Sequence, residues 1–182
     1  GLDIDTTGGA GFSATAGGTI SVQGSGNSIT SGTGTALNVA NTTIGASGLN
    51  FQSISANGAV NGILLNNTGA GGLTVTGSGN TTQGGNNSGG TIQSTTNDAI
   101  SLTSASNVSL TNMQLLNIGG ANVQGISGTN LGGSNFFIAG RMNNVGSSSS
   151  GAGNGITLIN SSVNLTLFSV DNSIFQNSLS GT

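Results

Sequence analysis

A short phrase, Gly or Ala followed by alternating apolar residues, returns six times along this chain. It reads Gly1-Leu2-Asp3-Ile4, Ala36-Leu37-Asn38-Val39, Gly62-Ile63-Leu64-Leu65, Ala99-Ile100-Ser101-Leu102, Gly125-Ile126-Ser127 and Gly155-Ile156-Thr157-Leu158. Its first apolar positions, 2, 37, 63, 100, 126 and 156, lie 35, 26, 37, 26 and 30 residues apart. A recurring period in this range marks a solenoid, in which each unit buries its apolar face only against its neighbours. Alternation over three or four residues is a strand period. The predicted unit is therefore a β-coil, and residues 1–182 read as one solenoid domain of about six coils.

Gly, Asn, Ser and Thr account for 110 of 182 residues, a mixture that by itself suggests a flexible chain. Disordered chains, however, are charged and poor in β-branched residues. Only 3% of this chain is charged, and its Ile, Val and Leu sit at alternating positions. Residues 98–118 show the coil most clearly: Ala99-Ile100-Ser101-Leu102 alternates, Ser104-Ala105-Ser106-Asn107 reads as a turn, Val108-Ser109-Leu110 alternates again, and Leu115-Leu116-Asn117-Ile118 forms a third short run. Three short strands separated by Gly, Asn and Ser describe a coil with three faces. The final coil repeats the scheme with Ile156-Thr157-Leu158, Val163 to Leu167 and Ser173-Ile174-Phe175. Earlier coils supply Ile20-Ser21-Val22, Leu49-Asn50-Phe51 with Ile54, and Leu73-Thr74-Val75 with Ile92.

Asn112 and Asn117 flank the third strand of one coil, and Asn172 and Asn177 occupy the equivalent places two coils later. Asn tolerates left-handed turns, and stacked amides bond from coil to coil, which predicts Asn ladders at the corners. The Gly-rich stretches 77–90 and 146–153 read as loops whose lengths make the period uneven.

The phrases Asn154-Gly155-Ile156-Thr157-Leu158, Asn107-Val108-Ser109-Leu110-Thr111-Asn112 and Gly71-Gly72-Leu73-Thr74-Val75-Thr76-Gly77 resemble the right-handed parallel β-helix repeats of the pectate-lyase-like superfamily. More narrowly they resemble the Gly/Ser/Thr/Asn-rich segments of bacterial surface and adhesin-like proteins. The resemblance is one of repeat style across nearly the whole chain. It implies a right-handed parallel β-helix of about six coils with three short strands each, and it says less about activity.

Several function classes lose support at this level. Without Cys or His there is no disulfide, thiolate or imidazole ligand, or His-dependent triad. One Arg and no Lys cannot release many counterions from a phosphate backbone, so no nucleic-acid partner is expected. No apolar run approaches the ~20 residues of a spanning helix, so no membrane insertion is expected. The enzymes of the superfamily rely on clustered acids, and glycoside chemistry needs two carboxyl groups facing one bond. The acids here are Asp3, Asp5, Asp98 and Asp171. Asp3 and Asp5 share one strand face and read as a solvated terminal pair, whereas Asp98 precedes a strand and Asp171 sits in a turn. Arg141 has no general base near it in sequence and reads as a solvated or stacking side chain. No catalytic, cofactor-binding or metal-ligating residue is expected.

Asn-x-Ser/Thr occurs at Asn41, Asn66, Asn80, Asn86, Asn107, Asn160 and Asn164, about the number that composition alone yields. The Gly pairs are not followed by the Asp that calcium-binding nonapeptide rolls require. Thr74-Val75-Thr76 has the local form of an ice-binding row, yet Ser21-Val22-Gln23, Ser109-Leu110-Thr111 and Asn164-Leu165-Thr166 make that row mixed.

The chain has neither an initiator Met nor a signal peptide, which predicts a processed product or a section of a longer chain. A Lys-free sequence offering trypsin-like proteases one site, Arg141, suits an extracellular or cell-surface life. The first residues read as a full strand and the chain runs to Ser180-Gly181-Thr182 without a polar cap, so copies of itself or flanking coils are the expected end-to-end partners. These features predict an extracellular structural protein, a filament subunit or the rod of an adhesin. The alternative is a carbohydrate-binding or carbohydrate-cleaving β-helix with surface glycans as partner, and an ice-binding solenoid comes after it.

Overall fold

The computed structural model describes residues 1–120, 122–145 and 153–176. Regular structure there is all β, and each coil contributes three strands. The first coil holds β1 (Asp3–Thr6), β2 (Phe12–Thr15) and β3 (Thr19–Val22), and the second β4 (Ser28–Ser31), β5 (Leu37–Ala40) and β6 (Thr43–Phe51). The third holds β7 (Ser53–Asn57), β8 (Ile63–Asn66) and β9 (Leu73–Val75), and the fourth β10 (Gly90–Gln93), β11 (Ile100–Thr103) and β12 (Ser109–Thr111). The fifth holds β13 (Met113–Ile118), β14 (Ile126–Thr129) and β15 (Gly133–Ile138), and the sixth β16 (Arg141–Val145), β17 (Ile156–Ile159) and β18 (Leu165–Asp171). A further strand, β19 (Ile174–Gln176), follows.

Every third strand stacks on its equivalent one coil away. Sheet A runs β1-β4-β7-β10-β13-β16-β19, sheet B β17-β14-β11-β8-β5-β2 and sheet C β18-β15-β12-β9-β6-β3, and all pairs are parallel. The result is the predicted β-solenoid, about 29 Å long for six coils at the ~4.8 Å inter-strand spacing.

The interior is built from apolar columns. Phe12, Leu37, Ile63, Ile100, Ile126 and Ile156 are successive partners in sheet B. Phe51, Val75, Leu110, Phe137 and Val170 do the same in sheet C, and Ile92, Leu115, Met142 and Phe175 in sheet A. Five of the six recurring phrases thus form one ladder. The first does not: Leu2-Asp3-Ile4 leads into β1 of sheet A, and the sheet-B member of that coil is Phe12-Ser13-Ala14-Thr15, which pairs with Leu37 to Ala40. The corrected steps, 12 to 37, 37 to 63, 63 to 100, 100 to 126 and 126 to 156, are 25, 26, 37, 26 and 30 residues. Two further boundaries differ from expectation. The last sheet-C strand is Leu165–Asp171, not 163–167, and Asp171 is its final residue, with the turn falling on Asn172.

Left-handed corners follow the coils in register. After the sheet-B strands come Ala16, Asn41, Asn67, Ser104 and Asn130, all with φ between 48° and 69°. On sheet A come Ser94, just after β10, and Asn117 and Asn144, next to last in β13 and β16, and after sheet C come Asn112, Ala139 and Asn172. Among the described residues, ten of the fourteen non-Gly positions with positive φ are Asn, so the choice of Asn at corners has a backbone cause. Amide ladders form where Asn stacks on Asn: Asn67 Nδ2 donates to Asn41 Oδ1 at 3.1 Å, and Asn144 Nδ2 donates to Asn117 Oδ1 at 2.9 Å. At the other predicted pair of positions the ladder is interrupted, because Ala139 lies between Asn112 and Asn172. The predicted 146–153 loop, apart from Gly153, lies outside the described residues, as do Asn177 and Ser180-Gly181-Thr182.

The 77–90 stretch is a strap. In the fifth and sixth coils the corner from sheet C to sheet A adds no residues, since Ala139 and Gly140 lead directly into Arg141 of β16 and Asn172 and Ser173 into Ile174 of β19. By the β9–β12 and β10–β13 registers, Gly77 matches Asn112 and Gly90 matches Met113. Residues 78–89 are therefore a twelve-residue insertion at one corner, and without them the 37-residue step becomes 25.

Candidate functional site

The titratable side chains are spread along the rod. Asp3 and Asp5 share the outer face of β1 and are exposed, with Asp3 Oδ1 accepting from Ser28 Oγ at 2.5 Å. Asp98 is half-buried before β11, where Oδ1 accepts the Gln124 backbone N–H at 2.7 Å. That contact ties one coil corner to the next, a backbone role of the kind expected for an Asp outside a cluster. Asp171 closes β18 in the sixth coil. Among the described residues no three His, Cys, Asp or Glu side chains gather as metal ligands would. Arg141 lies half-buried on the outer face of β16, between Gln114 and Ile174 in register. A Cβ built on Gly84 of the strap would fall 3.0 Å from its Nη2, so Arg141 packs under the strap.

A groove of about 670 Å³ opens on sheet C, where β6 shifts register against β3 and residues 45–48 bulge outward. Its wall includes Thr43, Ser47, Gly71, Asn50, Thr74 and Asn107, and its lining has no acid, base or aromatic ring. Its amides are already engaged. Asn50 Nδ2 donates to the Val22 and Ser47 carbonyls at 3.1 and 2.8 Å. Asn107 Nδ2 donates to the Ala70 carbonyl at 3.0 Å, while its Oδ1 accepts from Ser134 N–H at 3.1 Å. These groups hold the fold and offer a ligand little. The outward row through Asn50, Thr74, Ser109, Phe136 and Ser169 is mixed in size and polarity, unlike a regular Thr array.

The feature that departs most from an ordinary surface is the C-terminal coil. Leu158, Val170 and Phe175 continue the inward columns of the three sheets. Yet they are 37%, 44% and 49% exposed, whereas Phe137 and Met142, the partners of Val170 and Phe175 one coil below, are 0% and 2% exposed. Val163 and Leu167 are exposed beside them. The apolar interior thus opens to the surface here, bordered by β17, β18 and β19, the last strands of their sheets among the described residues. Edge strands present unpaired N–H and C=O groups that template further pairing, and Lys and Pro are common means of blocking it. The chain contains neither.

Protein-family models, curated proteins and solved structures give no match to this chain. Its functional reading rests on the geometry of the solenoid and its open coil. Sequence reasoning placed the last sheet-C strand too early and so missed Val170 as an inward residue.

Proposed function

We propose that this chain is a structural rod section of an extracellular or cell-surface protein, in which β-coils stack end to end. The observation that carries this reading is the exposed apolar interior at Leu158, Val170 and Phe175 beside β17, β18 and β19, the last strands of their sheets among the described residues. Further parallel coils would continue the apolar columns and pair the edges. The role is mechanical, with stiffness from axial hydrogen bonding and a continuous apolar column, and no chemistry is assigned to the scattered acids. The repeat style, which resembles that of Gly/Ser/Thr/Asn-rich bacterial surface and adhesin-like proteins, supports the same reading. So does a surface poor in trypsin sites, with Arg141 set in a strand under the strap. The glycan-binding alternative finds less support, because the sheet-C groove lacks a stacking ring and its amides are already bonded.

Electron microscopy of the purified chain at neutral pH, with and without chelator, tests the proposal together with sedimentation velocity. Filaments that repeat near ~29 Å are expected if copies stack head to tail, a heterologous contact that propagates without closing. Monomers in both assays would remove self-stacking and leave flanking coils of a longer chain as the occupant. Tight binding of a soluble oligosaccharide by the monomer would count against a purely structural role.

A further inference from the structure

Coils of a solenoid touch only their neighbours, so their stability is close to a sum of repeat and nearest-neighbour terms and the terminal coils fray first. The strap breaks that rule. It leaves after β9 and its base closes on itself, with Ser88 Oγ accepting the Ser78 N–H at 2.7 Å and Asn86 Nδ2 donating to the Ser78 carbonyl at 2.6 Å. Its return limb docks on the corner of the next coil, where Gly89 N–H donates to the Asn112 carbonyl at 2.9 Å. Gly85 lies against Asn112 Oδ1 at that corner and against the Ala139 carbonyl one coil further on. The tip reaches the corner after that: Gly84 N–H donates to the Asn172 carbonyl at 2.7 Å, and Asn172 Nδ2 donates to the Thr81 carbonyl at 3.0 Å. Three successive corners lie under one segment, and the tip sits three coil steps, about 14 Å, from its root.

We propose that residues 78–89 are an axial clasp that couples the third coil to the sixth, so that the C-terminal half of the rod opens as one cooperative unit and its last coil is held against fraying. The two glycines at the tip fit this role, since Gly84 and Gly85 have φ of +79° and +55° and a Cβ on Gly85 would strike the Ala139 carbonyl. The clasp is independent of what covers the open end, because it acts within one chain.

The test uses the full chain and two variants. One deletes 78–89, joining Gly77 to Gly90 as Asn112 joins Met113. The other is Asn172→Gly, which keeps the left-handed corner and removes the amide. Hydrogen exchange followed by mass spectrometry should show amides of β18 and β19 exchanging about tenfold faster in both variants, while β4 and β5 keep their rates. Circular dichroism confirms that the deleted chain retains its strands. Unchanged exchange in β18 and β19 of the folded deletion variant overturns the proposal. Equal acceleration in β4 and β5 also overturns it, because that reports general destabilisation and not release of a clasp.

Discussion

Asn172 and Gly84 meet across 88 residues of sequence, the Gly84 N–H donating to the Asn172 carbonyl at 2.7 Å, while the Asn172 amide reaches Thr81 at 3.0 Å. The same asparagine sustains a left-handed corner at φ 47°. One residue therefore turns the chain and anchors the strap, and its corner carbonyl has a strap donor as partner.

Seating the strap depends on close approach at Gly85, where an added Cβ would meet the Ala139 carbonyl and the buried Asn112 Oδ1. Neither obstacle yields easily, one being backbone and the other enclosed. Gly85→Ala should lift the tip without unfolding the coils, because φ of +55° costs a non-Gly residue about 1 kcal/mol on top of the clash. Limited proteolysis with a broad-specificity protease is the check. Cleavage within 78–89 should accelerate in the variant, while the circular dichroism spectrum stays that of the parent.

Asparagines with buried amide atoms divide into those the fold needs and those it does not. Asn27, 2% exposed, accepts from Leu2 N–H at 2.7 Å and donates to the Asn50 and Gln23 carbonyls at 2.8 and 3.1 Å, tying the first two coils together. Asn27→Leu strands these backbone groups and should cost about 2–3 kcal/mol, read as a lower denaturant midpoint. Asn38 is the contrast, since its Oδ1 is buried without a partner. Asn38→Thr suits a strand position better and should change stability by less than about 0.5 kcal/mol in either direction.

Corner chemistry gives a stabilising substitution. Ala16 holds φ 69° on the exposed corner column whose next two members are Asn41 and Asn67. A left-handed conformation is costly for Ala and tolerated by Asn, and the new amide would extend the Asn67–Asn41 ladder by one rung. Ala16→Asn should raise the unfolding free energy by about 0.5–1 kcal/mol, measured by chemical denaturation. A neutral or negative result would show that the Gly17-Gly18 segment, not Ala16, sets that corner.

The ladder from Leu37 to Ile156 was legible because its lead residues are all Leu or Ile and four of the five are followed by a polar neighbour, so period two survives in the sequence. β2 of the first coil and β4 of the second were not. β2 offers only Phe12 and Ala14 inward, and β4 turns Ser31 toward the interior, where its hydroxyl donates to the Gly34 carbonyl at 2.7 Å and accepts from Thr6 Oγ1 at 3.2 Å. A buried hydroxyl satisfied by a corner carbonyl leaves no hydrophobic trace, so the phrase at Leu2 was matched to the wrong sheet. The strap was readable as a Gly-rich loop, but nothing in its own residues encodes a partner at Asn172, since that contact follows from the register of three coils. The apolar content of the last described coil depended on reading Val170, not Leu165, as the continuation of Phe137, and the uncapped terminus expected at Ser180-Gly181-Thr182 lies outside the described residues.

The open coil yields the last prediction. Val170 and Phe175 cap columns whose previous members, Phe137 and Met142, are buried, and Phe175 also packs edge-on against Phe137 at a centroid distance of 6.4 Å. Val170 is the better probe, since it is 44% exposed and takes no part in that ring pair. Val170→Lys places a strongly hydrated charge at the mouth of the interior, where a stacked coil would have to bury it. The monomer loses little, because a side chain this exposed can keep its ammonium in water, and a change under about 1 kcal/mol is expected. Any assembly through this end should instead be abolished, because an unpaired buried ammonium is far costlier than the contact it replaces. Sedimentation velocity of parent and variant at equal concentration separates the two effects. If the parent associates and Val170→Lys associates equally well, the contact lies elsewhere on the rod and the open coil is not the joint.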